Sequence, residues 1–411
     1  MPLPFGVMGR GFGRMGAART KGGGFSTLAA FMAAQSDGLW LDFTKTDRHF
    51  QDASLTTLGD DAGEAIGYAL DGRKWRGLSY SAFLAAQPEL VTNGNFDTDL
   101  TGWNSVNTGG VASGQGTLSL VSNRLRNTAS GASLSRYATQ RLTGLTVGDS
   151  LLMKGVFNRQ TQAWTSAQLR TAISSGTQIT SLATNFAAGD VSFAYLSDPA
   201  AQSAYNLNLI GAADTAALYA DFDQISVKAI PGQHARQATA GSRPLRQTAG
   251  AKFDGTDDNL LSTYLAAAGA NFLQVRTTVP ASLAATQIIA GAEAAASANR
   301  FQIGINTSGF ACAGLGSDAM TTIVGNTDLR GTEADIALTC DGNTARLLVN
   351  GAVQYQAAQN GLPTTAIPPR VGANNANGTA GSFYAGYVKH LLSGREFLSL
   401  ALFNQIRAAL P

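Results

Sequence analysis

Adjacent acidic residues are the feature of this sequence that comes nearest to catalytic chemistry. Asp60-Asp61 and Asp257-Asp258 are two such pairs, and paired carboxyl groups act as acid and base in glycoside hydrolysis. Neighbouring residues on a strand point to opposite faces, so such pairs seldom work together as acid and base. Asp254 and Asp257 are better explained as turn formers. The sequence therefore predicts a protein without enzymatic activity.

Other motifs with possible chemistry lack the context that the chemistry needs. Gly11–Gly16 matches GxGxxG, but no strand precedes it and no βαβ unit follows. Gly67–Lys74 approximates a phosphate loop, yet Arg73 stands where lysine is required. The sequence contains no GxSxG elbow and no HExxH helix. Two cysteines, Cys312 and Cys340, cannot form a disulfide framework and are predicted to be buried free thiols.

Composition limits the classes of partner. The 411 residues carry a net charge of only +2, which argues against a nucleic-acid-binding protein. No apolar run approaches the roughly 20 residues of a membrane span, so we expect no membrane insertion. Charged residues are 14% of the chain, and glycine is abundant with 47 residues. This balance favours a mostly β protein with many turns.

The two ends of the chain have their own character. Residues 1–24 are glycine-rich and basic, and the apolar stretch 25–34 follows them. This arrangement imitates a signal peptide, but the basic region is long and the apolar run short, so we do not expect cleavage. Residues 25–36 are predicted to form a short helix. A second helix is predicted over Ser393–Leu410, where apolar residues recur at helical spacing.

Short β-like runs with turns between them, such as Glu89–Phe96, Gly116–Val121 and Ser150–Phe157, predict strands within residues 89–231. Two motifs delimit this segment. The opening Glu89–Trp103 reads ELVTNGNFDTDLTGW, and the closing Ala217–Ile230 reads ALYADFDQISVKAI. Between them, Tyr137–Leu152 reads YATQRLTGLTVGDSLL. In all three parts the segment resembles the jelly-roll carbohydrate-binding modules. The resemblance implies an antiparallel β-sandwich that binds sugars.

The ends of such a sandwich suggest a metal site. First and last strands lie near each other, so polar residues at both ends could share a structural calcium ion. The matching positions are Asn93, Asn95, Asp221 and Asp223. The alternative is that Asn93 belongs to a tight turn and the two aspartates face solvent.

Aromatic residues are the candidate sugar contacts of this segment. Sugar rings present apolar faces that stack on aromatic side chains, while their hydroxyls take hydrogen bonds. Trp164, Tyr137 and Tyr195 are the candidates, and Trp164 lies in a polar run. Phe96 and Trp103 are expected in the core.

A second set of motifs covers the C-terminal part of the chain. Ala251–Leu261 reads AKFDGTDDNLL, Asp335–Gly351 reads DIALTCDGNTARLLVNG, and Arg370–Leu392 reads RVGANNANGTAGSFYAGYVKHLL. Their order and spacing resemble a concanavalin-like, laminin-G-type lectin sandwich. In this part Asn374, Asn375 and Tyr384 could line a sugar-binding rim, and ordinary turn chemistry is the alternative.

A third resemblance changes the predicted domain map. Leu39–Asp71 resembles the opening of bacteriophage tail and appendage proteins with lectin-like domains, in which a run like His234–Arg246 (HARQATAGSRPLR) follows directly. Here about 160 residues separate the two parts. Insertion of a jelly roll into a surface loop explains the separation; three consecutive domains are the alternative. The predicted fold is mostly β, with two antiparallel β-sandwiches, the jelly roll inserted in the concanavalin-like domain, and short terminal helices. The domains are 1–38, 39–88 plus 232–411, and 89–231.

The predicted function follows from these resemblances. We expect a structural virion surface protein (a tail fibre, tail tip or head spike) that binds bacterial surface polysaccharide for adsorption. It would be assembled in the bacterial cytoplasm and act as a homo-oligomer beside other virion proteins. Residues 1–38 would anchor it to the particle through Phe25, Leu28, Phe31 and Met32, unless that helix merely caps the lectin-like sandwich. The alternatives are a purely architectural virion protein and a polysaccharide-degrading enzyme.

Overall fold

The computed structural model confirms a mostly β protein, with 51% of residues in strands and 10% in helices. The structure describes most of the chain, in these ranges: 27–35, 37–52, 55–75, 78–107, 116–129, 136–146, 148–159, 167–172, 178–184, 189–197, 203–211, 219–264, 269–294, 298–359, 361 and 367–411. Within these ranges no helix is long and apolar enough to cross a membrane.

The described helices are α1 (Leu28–Ala34), α2 (Tyr80–Ala86) and α3 (Leu400–Ala409). The strands of the first half are β1 (Gly38–Asp42), β2 (His49–Phe50), β3 (Tyr68–Ala69), β4 (Asn104–Asn107), β5 (Gly116–Val121), β6 (Arg124–Ala129), β7 (Arg136–Thr143), β8 (Ser150–Arg159), β9 (Ala167–Ala172), β10 (Gln178–Thr184), β11 (Gly189–Leu196), β12 (Ala204–Gly211) and β13 (Tyr219–Ile230).

The strands of the second half are β14 (Ala235–Arg236), β15 (Leu245–Gln247), β16 (Gly250–Lys252), β17 (Leu260–Ser262), β18 (Asn271–Thr278), β19 (Gln287–Ala294), β20 (Ala298–Ile305), β21 (Phe310–Gly316), β22 (Asp318–Asp328), β23 (Glu333–Cys340), β24 (Thr344–Val349), β25 (Ala352–Ala358), β26 (Arg370–Val371), β27 (Asn374–Ala376), β28 (Thr379–Gly381) and β29 (Tyr387–Gly394).

Strands β4–β13 form two five-stranded antiparallel sheets, which we call the central sandwich. Sheet I has the order β10-β9-β12-β7-β4, and sheet II has the order β11-β8-β13-β6-β5. Alternate residues of both sheets meet in one apolar core, for example Leu142 and Leu207 of sheet I with Phe157 and Val227 of sheet II. Each sheet buries one face in this core and turns the other face outward, so the sequence alternates polar and apolar residues along these strands.

The remaining strands form two larger sheets, which we call the flanking sandwich. Sheet III has eight strands and sheet IV has eleven. Strand β1 pairs with β29, and β3 pairs with β14, so segments before and after the central sandwich share the same sheets. Leu273 and Val275 of sheet III pack with Phe301 and Ile303 of sheet IV in the largest core cluster.

The two sandwiches meet at one junction organised by Asp71. Its Oδ1 accepts from the backbone N–H groups of Trp40 (3.1 Å) and Arg73 (2.9 Å), and its Oδ2 accepts from Arg73 Nε (3.1 Å) and the backbone N–H of Gln233 (2.9 Å). The Asp71 N–H donates to His234 Nδ1 at 3.0 Å. One carboxylate therefore holds the chain on both sides of the central sandwich.

An apolar cluster completes this junction. Its members from the flanking segment are Phe50, Leu55, Tyr68, Leu70, Trp75 and Phe83, and those from the central sandwich are Leu152, Leu196 and Ile230. Trp75 and Phe83 stack with their ring centroids 4.8 Å apart. Nearby, the backbones of Glu89 and Lys228 form an isolated antiparallel β-bridge. The two chain crossings between the sandwiches therefore run side by side.

Helix α1 packs one face against the fold. Thr27 caps its first turn by accepting from the Ala30 N–H at 3.1 Å. Leu28, Phe31 and Met32 are buried in a cluster with side chains of sheet III and of helix α3. These three residues are therefore unavailable as anchors to a particle, which corrects that interpretation and favours the capping alternative. Phe25 lies outside the described residues.

Two predicted elements differ in their bounds. The C-terminal helix begins at Leu400, not at Ser393, because β29 continues to Gly394 and the Ser399 hydroxyl caps the helix by accepting from the Leu402 N–H at 3.1 Å. Residues 89–96 form no strand beyond the bridge at Glu89. Asn93 and Phe96 have φ of 55° and 53°, and this left-handed backbone interrupts a strand.

Candidate functional site

The outward face of sheet I carries polar side chains aligned across three strands. Asn104 of β4 lies opposite Thr139 of β7, and Thr139 lies opposite Asn208 of β12. In the next row Arg141 lies opposite Asn206. Their neighbours along the strands, such as Tyr205, Leu207 and Leu209, point into the core and are fully buried. We call these five outward residues, Asn104, Thr139, Arg141, Asn206 and Asn208, the amide face.

The amides of this face are not used to hold the protein together. Within the described part of the chain, the side chains of Asn104, Asn206 and Asn208 make no hydrogen bond. An asparagine amide offers two donors and an acceptor oxygen. The face therefore presents both donors and acceptors to an external ligand.

The outward face of sheet II is different, because its polar groups satisfy one another. Arg126 makes two hydrogen bonds to Asp221, at 2.7 and 2.8 Å, and its guanidinium carbon lies 3.5 Å from the ring centroid of Tyr219. Arg124 donates to Asp190 at 2.7 Å. Hydrogen bonds from Arg124 and Asn158 hold the pKa of Asp190 well below its usual value. Arg124, Arg126, Asp190 and Asp221 of this face are therefore paired with one another.

The predicted calcium ligands do not form one site. The opening turn does lie against the last strand, since the Ile225 N–H donates to Gly94 O at 2.9 Å. However, both carboxylate oxygens of Asp221 are engaged by Arg126, and the Asn93 amide donates to Asp99 at 2.9 Å. Asp223 Oδ1 accepts from the Gln224 N–H, and Asn95 is exposed. The bidentate ion pair corrects the assignment of Asp221 as a ligand.

Two other acidic groups could hold a metal ion. In the ranges that the structure describes, Asp60, Asp61 and Glu64 form one group, and Asp254, Asp257 and Asp258 form the other. Asp254 is a turn former as predicted, since its Oδ1 accepts from the N–H groups of residues 256–258. Burial, with the charge of Asp254, raises the pKa of Asp258 to about 6. Calcium is compatible with such oxygen ligands.

The structure removes three predicted sugar contacts from the surface of the flanking sandwich. Tyr384 is fully buried, and its hydroxyl bonds to Thr277 at 2.7 Å and to Thr278 O at 2.8 Å. Asn374 and Asn375 are 8% and 2% exposed.

Both asparagines have structural partners. Asn374 accepts from Gln302 at 2.9 Å, and Asn375 donates to Pro368 O at 2.7 Å. Strand β27, which contains them, pairs in parallel with β19 and is covered there. These residues therefore stabilise the fold, which corrects their assignment as a rim.

The aromatic candidates of the central sandwich have mixed positions. Tyr195 is half-buried and packs against the central core. Tyr137 lies on β7, two residues before Thr139, and its backbone pairs with Val106 and Ile210. Trp164 lies outside the described residues. Phe96 and Trp103 are core residues, as expected.

Sequence reasoning missed the amide face. The signal was the alternation in Tyr205–Leu209 (YNLNL), which places both asparagines on the face away from the core. Alternation alone does not distinguish a ligand-binding face from an ordinary solvated one.

Comparisons with known proteins found similar structures. No family model and no curated protein matches the sequence. The CBM40 of the Ruminococcus gnavus IT-sialidase is 17% identical, with a TM-score of 0.29, over 35% of this chain and 84% of its own. A CBM4 structure is 14% identical, with a TM-score of 0.28, over 34% and 99%. The enzymatically active domain of tailspike protein 4 from bacteriophage CBA120 is 13% identical, with a TM-score of 0.27, over 36% and 22%.

Proposed function

We propose that this chain is a glycan-binding protein and that the amide face of sheet I contacts the sugar. The observation that carries the proposal is the contrast between the two outward faces of the central sandwich. On sheet II, Arg124 pairs with Asp190 and Arg126 pairs with Asp221. On sheet I, the side chains of Asn104, Asn206 and Asn208 make no hydrogen bond in the described chain. Sugar hydroxyls both donate and accept, so they match an amide. Weak binding at each site gains strength when many copies act together.

The particle role extends this proposal. We propose a structural protein on the surface of a bacteriophage or related particle (a tail fibre, tail tip or head spike) that binds host polysaccharide during adsorption, as a homo-oligomer beside other virion proteins. The resemblance of Leu39–Asp71 and His234–Arg246 to phage appendage proteins supports it. An antibody against the protein, applied to purified particles in electron micrographs, tests this role. Labelling at the tail or head surface is expected, and unlabelled particles would contradict it.

We also propose that binding occurs without cleavage. Asp254 and Asp257 support this, because Asp254 accepts from backbone N–H groups of its own turn and Asp257 accepts from the Ser242 hydroxyl. Incubation of the protein with host capsular polysaccharide separates the candidate functions. Retention of intact polysaccharide supports the binding protein, and shortened chains indicate an enzyme. The absence of both retention and shortening indicates an architectural role.

Replacing Asn206 and Asn208 together by alanine is expected to abolish polysaccharide retention. At about 1 kcal/mol per hydrogen bond, two amides that make two bonds each contribute roughly 4 kcal/mol, or about a thousandfold in affinity. Affinity electrophoresis in a gel that contains the polysaccharide measures the change. The melting temperature should stay near that of the wild type, since neither amide holds the fold together.

Asn158→Ala is the matched control for this experiment. It removes an amide from the outward face of the other sheet, where Asn158 donates to Asp190. Retention should be unchanged in this variant. Equal retention by wild type and by the double variant would show that the sugar binds elsewhere.

We propose that the central sandwich is an insertion in the flanking one. The pairing of β1 with β29 and of β3 with β14 supports this arrangement. Deleting 89–231 and joining Pro88 to Gly232 should leave a protein that melts cooperatively. Its melting temperature should be lower, because Leu152, Leu196 and Ile230 leave the junction cluster. Residues 89–231 expressed alone should also melt cooperatively, and a molten deletion product would contradict the proposal.

A structural calcium ion is part of the same proposal. The acidic group of Asp254, Asp257 and Asp258 offers carboxylate oxygens with mutual distances of at most 4.8 Å. Titration with calcium chloride, followed by the melting temperature, tests this. A saturable rise that is absent in Asp257→Asn supports the site, and an equal rise in both proteins counts against it.

A further inference from the structure

The side chain of Arg48 is buried between two tryptophans. Its guanidinium carbon lies 5.6 Å from the ring centroid of Trp40 and 5.0 Å from that of Trp75. Arg48 is 4% exposed, and its Nε and Nη1 have no hydrogen-bond partner. A charge buried without a partner is unfavourable, and the contacts with the two rings offset only part of that cost. The site therefore lacks a negative group.

The groups around Arg48 are also donors without acceptors. The indole N–H groups of Trp40 and Trp75 and the hydroxyl of Tyr80 are buried and have no hydrogen-bond partner. The rings of Trp75 and Tyr80 lie with centroids 5.8 Å apart. Burial raises the pKa of Tyr80 to about 12, so this hydroxyl keeps its proton at neutral pH. Guanidinium and indole nitrogens can only donate.

The nearby carboxylates are already engaged. Both oxygens of Asp71 accept from Trp40, Arg73 and Gln233, and its charge is matched by that of Arg73. Asp47 Oδ2 accepts from the backbone N–H of Tyr80 at 2.9 Å. Within the described residues, no carboxylate forms an ion pair with Arg48.

Gly72 accommodates the Arg48 guanidinium. A Cβ at this position would collide with Arg48 Nη1, so glycine allows the guanidinium to lie this close to the backbone.

We propose that Trp40, Arg48, Trp75 and Tyr80, which we call the donor cluster, bind one small oxyanion: a carboxylate or a phosphate group. Such an anion supplies the missing negative charge and accepts from the guanidinium edge, the two indoles and the hydroxyl. Two sources share this chemistry, a free inorganic anion and the carboxylate of an acidic sugar. The donor cluster belongs to the flanking segment and is separate from the amide face, so it does not depend on the proposed glycan site.

Selective 15N labelling of tryptophan tests this directly in the wild-type chain. The protein has four tryptophans, and Trp103→Phe and Trp164→Phe identify the two indole signals of the donor cluster by elimination. Titration with inorganic phosphate or with glucuronate, at constant ionic strength set by sodium chloride, should shift those two signals saturably. A response to phosphate alone identifies the free anion, and a response to glucuronate identifies a carboxylate. Absence of a saturable shift with both anions would overturn the proposal.

Arg48→Met removes the guanidinium and should abolish the shifts. Arg346→Met is the matched control, since Arg346 also lies over an aromatic ring, 4.7 Å from the centroid of Phe397, but at another place on the fold. If Arg48→Met fails to fold, Arg48→Lys keeps the charge but loses the planar fork, and about tenfold weaker binding is expected. Wild-type affinity in either Arg48 variant would exclude the site.

Discussion

Acidification from pH 6.5 to 4.5 is expected to destabilise this protein steeply, because its three histidines are all buried. Burial, with the charge of Arg246, lowers the pKa of His49 to about 3, and burial also lowers the pKa of His234 and of His390. The folded state keeps these rings neutral, whereas the unfolded chain protonates them below about 6.5. The unfolded state then binds more protons, so between about pH 6 and its folded pKa His49 removes up to about 1.4 kcal/mol of stability per pH unit. His234 and His390 act in the same direction.

The hydrogen bonds of His234 show why its ring stays neutral. Nδ1 accepts from the Asp71 N–H at 3.0 Å, and Nε2 lies 3.1 Å from the carbonyl oxygen of Ile230, to which it donates. A proton on Nδ1 would leave the Asp71 N–H without an acceptor. Protonation therefore weakens the junction as well as burying a charge.

His49→Phe isolates one of the three contributions. The phenylalanine ring can keep the stacking on Phe43, whose ring centroid lies 5.2 Å from that of His49, but it cannot bind a proton. Urea unfolding at a series of pH values between 4.5 and 7.5 should give a slope that is shallower by about 1.4 kcal/mol per pH unit below about pH 6 and unchanged near pH 7.5. Identical slopes for wild type and variant would mean that His49 is not kept neutral by the fold.

Asp71→Ala is expected to cost about 3–5 kcal/mol of unfolding free energy, as the loss of one partner of a buried ion pair does. The substitution leaves the buried Arg73 without its counter-charge and takes the acceptor from three backbone N–H groups. Asp71→Asn should be less damaging, because its oxygen still accepts. Chemical denaturation monitored by tryptophan fluorescence gives both values.

Asp328→Ala provides the comparison for an exposed carboxylate. Asp328 pairs with Arg330 two residues away on the surface, and its removal should leave the denaturation midpoint unchanged. If Asp71→Ala were no more destabilising than Asp328→Ala, the junction would not depend on this carboxylate.

Short-range patterns predicted the strands well. Gly116–Val121 forms a strand with the predicted bounds. The strand predicted over Ser150–Phe157 continues two residues further, to Arg159. In both, alternation of side chains between a core and a solvated face gives a period of two, which the sequence displays directly. The structure also confirms the predicted mostly β fold class.

Long-range packing could not be predicted in the same way. Helical spacing showed that Leu28, Phe31 and Met32 share one face, but it could not show that sheet III and helix α3 cover that face. Tyr384 stands in a glycine-rich loop sequence, yet its ring is buried. The amide face depends on the register between β7 and β12, and no local pattern specifies the register of strands that are distant in sequence.

The side-by-side crossings at the junction have a mechanical consequence. A cell surface held by the central sandwich would pull on both crossings in the same direction, since Glu89 and Lys228 lie opposite each other. The load would then be shared between two strands of chain, the four hydrogen bonds to Asp71 and the aromatic stack of Trp75 on Phe83. In single-molecule pulling, detachment of the central sandwich should therefore precede the unfolding of sheets III and IV, and this first rupture force should fall in Asp71→Ala.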